Sequence, residues 1–372
     1  MQRIWNYRYA IRLRLTLALL LTASMATIGS MPAQAATTTF QQVNLVSNIP
    51  GQAIVTDPDL VNPWGISHSG GSPFWVSDNG TGVSTLYNPA TTDIKLGLVV
   101  TIPPPPDSDP GTTSKPTGQV FNGSMDFVVT TTAGSGPARF IFATEDGTIA
   151  GWNPAADPTN AILAVDHSDA EAIYKGLAIA ANAAGNFLYA ANFHAGTIDV
   201  FDKDFHQVQL AGSFTDPDIH AGFAPFNIQN LGGKLYVTYA KQDADGEDDV
   251  AGPANGYVDA FDTDGNLLQR VATRGRLNSP WGLAIAPSSF GAFAGDLLVG
   301  NFGDGRINII DPVSGEFLDQ LRDANNRPIT IDGLWGLIVG NGGNGGDADK
   351  VYFTAGPNDE ADGLFGSLGP NS

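Results

Sequence analysis

Beyond about residue 40, apolar positions come in runs of about five, each closed off by Gly, Asn, Asp or Pro. "FLYAA" from Phe187, "KLYVTYA" from Lys234, "YVDAF" from Tyr257 and "RINII" from Arg306 are typical. Runs of this length, rich in β-branched and aromatic residues and bounded by turn formers, predict short β-strands. After many of them stand turn sequences such as "NPAAD", "DTDGN" and "DPVSGE", which place Asn, Asp, Pro and Gly where tight turns need them.

The runs recur with a period. The phrase "PWG" or "LWG" occurs at Trp64, Trp281 and Trp335, with 54 residues between the last two and 217 between the first two, near four times that spacing. Laying the chain out on this period gives six copies, with Trp64, Met125, Lys175, Phe226, Trp281 and Trp335 in equivalent places. Each copy continues as a strand, a loop, a second strand, a loop and a third strand, and in all but the last a hairpin turn leads to a fourth. Four antiparallel strands in six repeats predict an all-β fold, a single six-bladed β-propeller. It would span residues 36–372, with a proline-rich surface loop at about 102–116. The last repeat lacks a fourth strand, and "FQQVNLVSNIP" from Phe40 belongs to no repeat. That segment is expected to join the last blade and close the ring, removing two open edges. On this reading glycine permits close backbone approach, and tryptophan fills the wedge between blades.

Residues 1–35 read differently. Arg3, Arg8, Arg12 and Arg14 precede the apolar "LTLALLLTASMATIG" and then "AQA" at Ala33–Ala35, the pattern of a secretory signal peptide. An extracytoplasmic location (periplasmic or secreted) without stable membrane insertion is the expectation. There is no cysteine, which excludes disulfides and thiolate sites. The leader holds four of the 18 basic residues and none of the 38 acidic ones, leaving 14 against 38 in the rest. Such a surface repels nucleic acid and favours cations.

Alternating strand direction puts the start of each innermost strand and the loop between second and third strands on one face. Asn62, Asn122, Asn227, Asn278 and Asp332 belong to the first set. Asp78, Glu145, Asn192 and Asn301 belong to the second, and Lys175 stands where other repeats carry an aromatic residue. These ten are the candidate ligand-binding residues. The loop "KQDADGEDDVAGPANG" adds Asp243, Asp245, Asp248 and Asp249, a carboxylate density suited to an oxygen-ligand cation such as calcium. Counted from Asp243, the sixth position is Asp248 and the twelfth Ala254, so the loop is not an EF-hand. Zinc-type histidine spacings, a G-x-S-x-G elbow and a P-loop are missing from the sequence, and no motif specifies another cofactor.

The phrases "DPDLVNPWG", "FWVSDNGTG", "FIFATEDGTIAGWNP", "YAKQDADG", "GDLLVGNFGDGRIN" and "FTAGPNDEADGLFG" resemble a family of uncharacterised bacterial extracytoplasmic proteins. Some of its members carry a PEP-CTERM sorting tail. More distantly, "PWGLAIAP" with "GDLLVGNFGDGRINIID" is similar to NHL-type propeller repeats. The resemblance implies a propeller and no particular reaction. The leading expectation is a binding module for a protein, saccharide or small molecule on the Asn/Asp-ringed face. The alternative is a calcium-dependent hydrolase of lactones or esters, its cation held by Asn122, Asn227, Asn278 and Asp332. A structural envelope protein with a loop-bound cation is the third.

Overall fold

A computed structural model describes residues 38–371; the leader read over 1–35 lies outside them. The described residues form a six-bladed β-propeller of antiparallel sheets. From the axis outwards, blade 1 comprises Pro63–Ser67, Phe74–Asp78, Val83–Tyr87 and Lys95–Thr101. Blades 2 to 6 begin with the innermost strands Pro116–Phe121, Tyr174–Asn182, Phe223–Leu231, Pro280–Ile285 and Leu334–Val339. In blade 6 the third strand, Leu364–Pro370, pairs antiparallel with Phe40–Ser47, matching Phe40 to Pro370 and Ser47 to Leu364. The first strand thus closes the ring as the fourth of the last blade. A short parallel strand, Val55–Thr56, pairs outside it.

Close approach at the axis explains the repeated glycine. A Cβ on Gly282 would stand 2.5 Å from the Trp335 carbonyl oxygen, and one on Gly336 2.8 Å from that of Trp64. Cβ atoms at Gly65, Gly118 and Gly176 would likewise strike the innermost strand of the following blade. Blade 4 has Asn227 at this position, and its side-chain amide donates to the Trp281 carbonyl at 2.8 Å. Each innermost strand therefore leans directly on the next. The apolar core fills the seams between blades, as in the cluster of Ala178, Tyr189, Val200, Ile228, Val237 and Phe261 between blades 3 and 4.

Three details depart from the sequence reading. In blade 2 the residue equivalent to tryptophan is Thr117 of "PTGQVF", not Met125, which is 77% exposed. The apolar run that follows Met125 contributes instead to an extra hairpin, Val128–Thr130 with Ser135–Pro137. Asn122 consequently follows the far end of the innermost strand, on the opposite face from Asn62. Its amide donates to the Asp126 and Ala138 carbonyls at 3.0 and 2.9 Å, tying that excursion down. In blade 3 the fourth strand is only Gln207–Val208; the chain then leaves the sheet to bond the turn of blade 4 through Gly212 N–H and Asp264 O at 2.8 Å.

Because the glycine contact is with backbone, it cannot be relieved by a rotamer change. Gly282→Val is expected to lower stability by about 2 kcal/mol or more, read as an earlier urea midpoint. An unchanged midpoint would contradict the shoulder-to-shoulder packing of innermost strands.

Candidate ligand site at the propeller axis

The tryptophans do not fill the wedges between blades; they close the axis itself. Trp64 stacks on Trp335 with ring centroids 3.5 Å apart, and Phe302 stacks on Trp335 at 4.0 Å. Trp281 meets both tryptophans edge-on at 6.1 and 5.8 Å, and Phe226 and Phe193 complete the cluster. Innermost strands of blades 1, 4, 5 and 6 supply four of these rings, each within the first four residues of its strand. Blade 2 contributes the small Thr117, whose hydroxyl donates to the Tyr174 carbonyl at 2.5 Å.

Blade 3 contributes Lys175, 1% exposed. Its ammonium lies 5.2 Å from the centre of the Trp64 ring, near the negative face of the π-system. It donates to Glu145 Oε1 at 2.5 Å and to Asp248 Oδ1 at 3.0 Å. Asn79 donates to the other oxygen of Glu145 at 2.8 Å. Asn62 donates to Glu360 Oε2 at 2.5 Å while its carbonyl oxygen accepts from the Trp335 indole N–H at 3.0 Å. The result is a ring of carboxylates, Glu145, Asp248 and Glu360, set over an aromatic floor. They come from the loops of blades 2, 4 and 6.

Glu360 reaches this ring through an unusual backbone. Asn358, Asp359 and Glu360 all have positive φ, at 58°, 53° and 65°. Three consecutive non-glycine residues in the left-handed region cost free energy, of order 1 kcal/mol or more each. The surroundings hold them there: Asp332 accepts the Asn358 N–H at 3.0 Å, and the Asn358 amide donates to Asp362 at 2.8 Å.

Burial shapes the electrostatics. Burial pushes the Glu360 carboxyl up to about 7, with Glu145 and Asp248 adding repulsion and the Asn62 hydrogen bond and Lys175 opposing it. Burial also raises Asp249, against the pull of Ser279 and Lys175. For Lys175 burial disfavours the charge, but Glu145 and Asp248 outweigh it and the ammonium is held above the ordinary lysine range. One ammonium thus faces more carboxylate than it neutralises, and Glu360 keeps its proton towards neutrality.

Of the residues singled out in the sequence, Asn62, Glu145, Lys175 and Asp248 meet here. The remainder serve local structure. Asn278 accepts the Gly252 N–H at 2.6 Å, Asn192 donates to Asp199 at 3.0 Å, and Asn301 donates to the Arg276 carbonyl at 2.8 Å. Asp78 is wholly buried within blade 1, accepts the Thr85 N–H at 3.1 Å, and is raised well above the ordinary range by that burial. Asn122, Asn227, Asn278 and Asp332 thus do not converge on one point. In the loop of blade 4, Asp243 accepts the Glu247 N–H at 3.0 Å and its own N–H donates to the Asp248 carbonyl at 2.8 Å. Asp245 is exposed, Asp248 is turned to Lys175, and Asp249 is half-buried. Among the described residues, the only three His, Cys, Asp or Glu side chains with ligand atoms mutually within 4.8 Å are Asp202, Asp204 and His206. They lie in the exposed turn of blade 3 on the opposite face, where Asp202 already accepts the Asp204 and His206 N–H groups at 2.9 Å. Sequence reasoning missed Asn79 and Glu360. Asn79 directly follows the second strand of blade 1, in the turn after Asp78, but nothing in "GPNDEADG" singles out Glu360 among its acidic neighbours.

No family model matches the chain. Two uncharacterized proteins of Acanthamoeba polyphaga mimivirus are each 35% identical to it. One matches over 340 residues, 90% of this chain and 81% of the relative; the other over 331 residues, 87% and 84%. Among solved structures, a protein of unknown function from Bacteroides thetaiotaomicron has a TM-score of 0.51 at 12% identity, covering 89% of this chain and 76% of the other. That likeness is one of fold. A streptogramin B lyase gives a TM-score of 0.47 at 12% identity, covering 90% of this chain and 98% of the lyase.

The shift of Glu360 has a consequence for stability. An unfolded glutamate titrates near about 4.3, so between there and about 7 the folded chain holds a proton that the unfolded chain has released. Stability therefore falls as pH rises through that window. Glu360→Gln is expected to gain stability relative to the parent between pH 5 and 8, read from urea midpoints at each pH. A difference that stays constant with pH would contradict the placement of this carboxyl.

Proposed function

We propose that this chain, which belongs to one family with the two mimivirus proteins, is a binding module that takes a positively charged group at the carboxylate ring on its axis. The supporting observation is the convergence of Glu145, Asp248 and Glu360 around the single ammonium of Lys175, over stacked aromatic rings. Asp248 is largely exposed and Glu145 partly so, which leaves the ring open to solvent. Half-buried Phe302 stacks on Trp335, whose indole N–H bonds the same Asn62 that donates to Glu360. Carboxylates with an aromatic wall suit an ammonium or guanidinium group, through charge-assisted hydrogen bonds and cation–π attraction. A basic side chain of a partner and a free organic amine share this chemistry.

The strained loop bearing Glu360 supports the same reading, since costly backbone conformations concentrate where a side chain has to be held for binding. In this reading the chain works outside the cytoplasm after loss of the leader read over 1–35, like the bacterial family its phrases resemble.

An arriving cation would displace the proton on Glu360, so affinity should rise with pH. Calorimetric titration with spermidine, choline and arginine amide is expected to show at least one binding more tightly at pH 8 than at pH 6. Glu360→Gln should weaken that binding and flatten its pH dependence, and added salt should weaken it further. Failure of all three to bind, or an affinity indifferent to pH, would refute the proposal.

A further inference from the structure

The plug closes the axis at one face only. Behind it, a funnel of about 310 Å³ opens towards the opposite face, with Trp281 at its blind end and His68, Phe121, Ile179, Asn230 and Ile338 towards its mouth. From this funnel we infer a second ligand site, for an uncharged polyhydroxylated molecule of about monosaccharide size. It is separate from the carboxylate ring and does not depend on it.

Three observations carry the inference. The first is the wall. Every innermost strand is paired on one side only within its sheet, and those of blades 1, 2, 3, 4 and 6 each bring a run of residues to the funnel while blade 5 brings Trp281, so five strand edges offer it backbone N–H and C=O groups together. Such groups need partners. A hydroxyl both donates and accepts, so a polyol can satisfy both kinds at once. The second is charge: among the described residues the funnel is lined by no Asp, Glu, Lys or Arg. A charged ligand would lose its hydration there without gaining a counter-charge, at a high cost. The third is unmet polarity. Gln229 lines the funnel at a half-buried position, and its side-chain amide oxygen and nitrogen make no hydrogen bond among the described residues. An amide can accept from one hydroxyl and donate to another.

Size separates ligand from water. At about 30 Å³ per molecule the funnel would hold roughly ten waters, many more than two unpartnered atoms require. Its volume falls at the lower end of small-molecule sites. Between the polar groups, the half-buried Val120, Ile179 and Ile338 offer apolar surface for the C–H faces of a sugar ring.

The test uses D-glucose, D-galactose and myo-inositol as probes, with saturation-transfer NMR for binding and calorimetry for affinity. At least one is expected to bind, and its presence should leave unchanged the binding of whichever cationic probe the carboxylate ring takes. Gln229→Ala should weaken the bound probe roughly tenfold without lowering the urea midpoint, because it removes a half-buried amide that lacks a partner among the described residues. Gln229→Trp should abolish binding by filling the funnel at a half-buried position whose side chain makes no hydrogen bond among the described residues. Absence of saturation transfer with all three probes, or binding undiminished in both variants, would overturn the inference.

Discussion

Six strands meeting around one axis have to stand closer together than side chains allow, and this crowding governs the rest of the molecule. Glycine at Gly65, Gly118, Gly176, Gly282 and Gly336 lets each innermost strand rest on its neighbour. With backbone against backbone there, the residue just before each glycine is held at the axis. What stands at those positions decides whether the axis is open or shut. Four aromatic residues, a threonine and a lysine shut it on one side.

The lysine is the expensive choice. An apolar residue would complete the plug without any charge to desolvate, and a buried ion pair is seldom a net gain over well-packed apolar contacts. Placing Lys175 at the axis makes loops from three different blades answer to one ammonium: Glu145 and Asp248 by direct contact, and Glu360 through the field they share. The loop of blade 6 adds strain to the cost, with three left-handed residues in succession. Both costs fall at the same place on the molecule. Costs that coincide in this way are expected of a site held ready for a ligand rather than of a scaffold.

Much of this was legible in the chain. Six repeats, the strand order and the closing role of Phe40–Ser47 followed from strand-length apolar runs and the spacing of the tryptophan phrase. The period failed at blade 2, where Thr117 replaces the aromatic residue and the apolar run 127–130 offered a more hydrophobic alternative. The glycine beside Thr117 was the better guide, because close approach constrains backbone more strictly than plugging constrains side-chain type. Topology also identified the acidic face, and with it Asn62, Glu145 and Lys175. It could not separate Asn278, Asn192 and Asn301, which bind turn backbone, from Asn62, which points at the axis. A shift of one residue relative to the proline or glycine of the phrase turns the side chain away. Glu360 was illegible for a related reason: its position rests on three left-handed residues in succession, and although Asn and Asp tolerate that region singly, no propensity extends it through a glutamate.

The central claim is that the axis is sealed on the carboxylate side by the aromatic stack and by an ammonium locked between Glu145 and Asp248. Amine labelling of the folded protein with acetic anhydride, read by mass spectrometry residue by residue, tests it most directly. Lys203 and Lys234 are exposed and should be modified quickly, while Lys175 should stay unmodified until the protein unfolds. Labelling of Lys175 at a rate comparable to theirs would mean that the axis is open and the ion pairs are not held, and the account would fail.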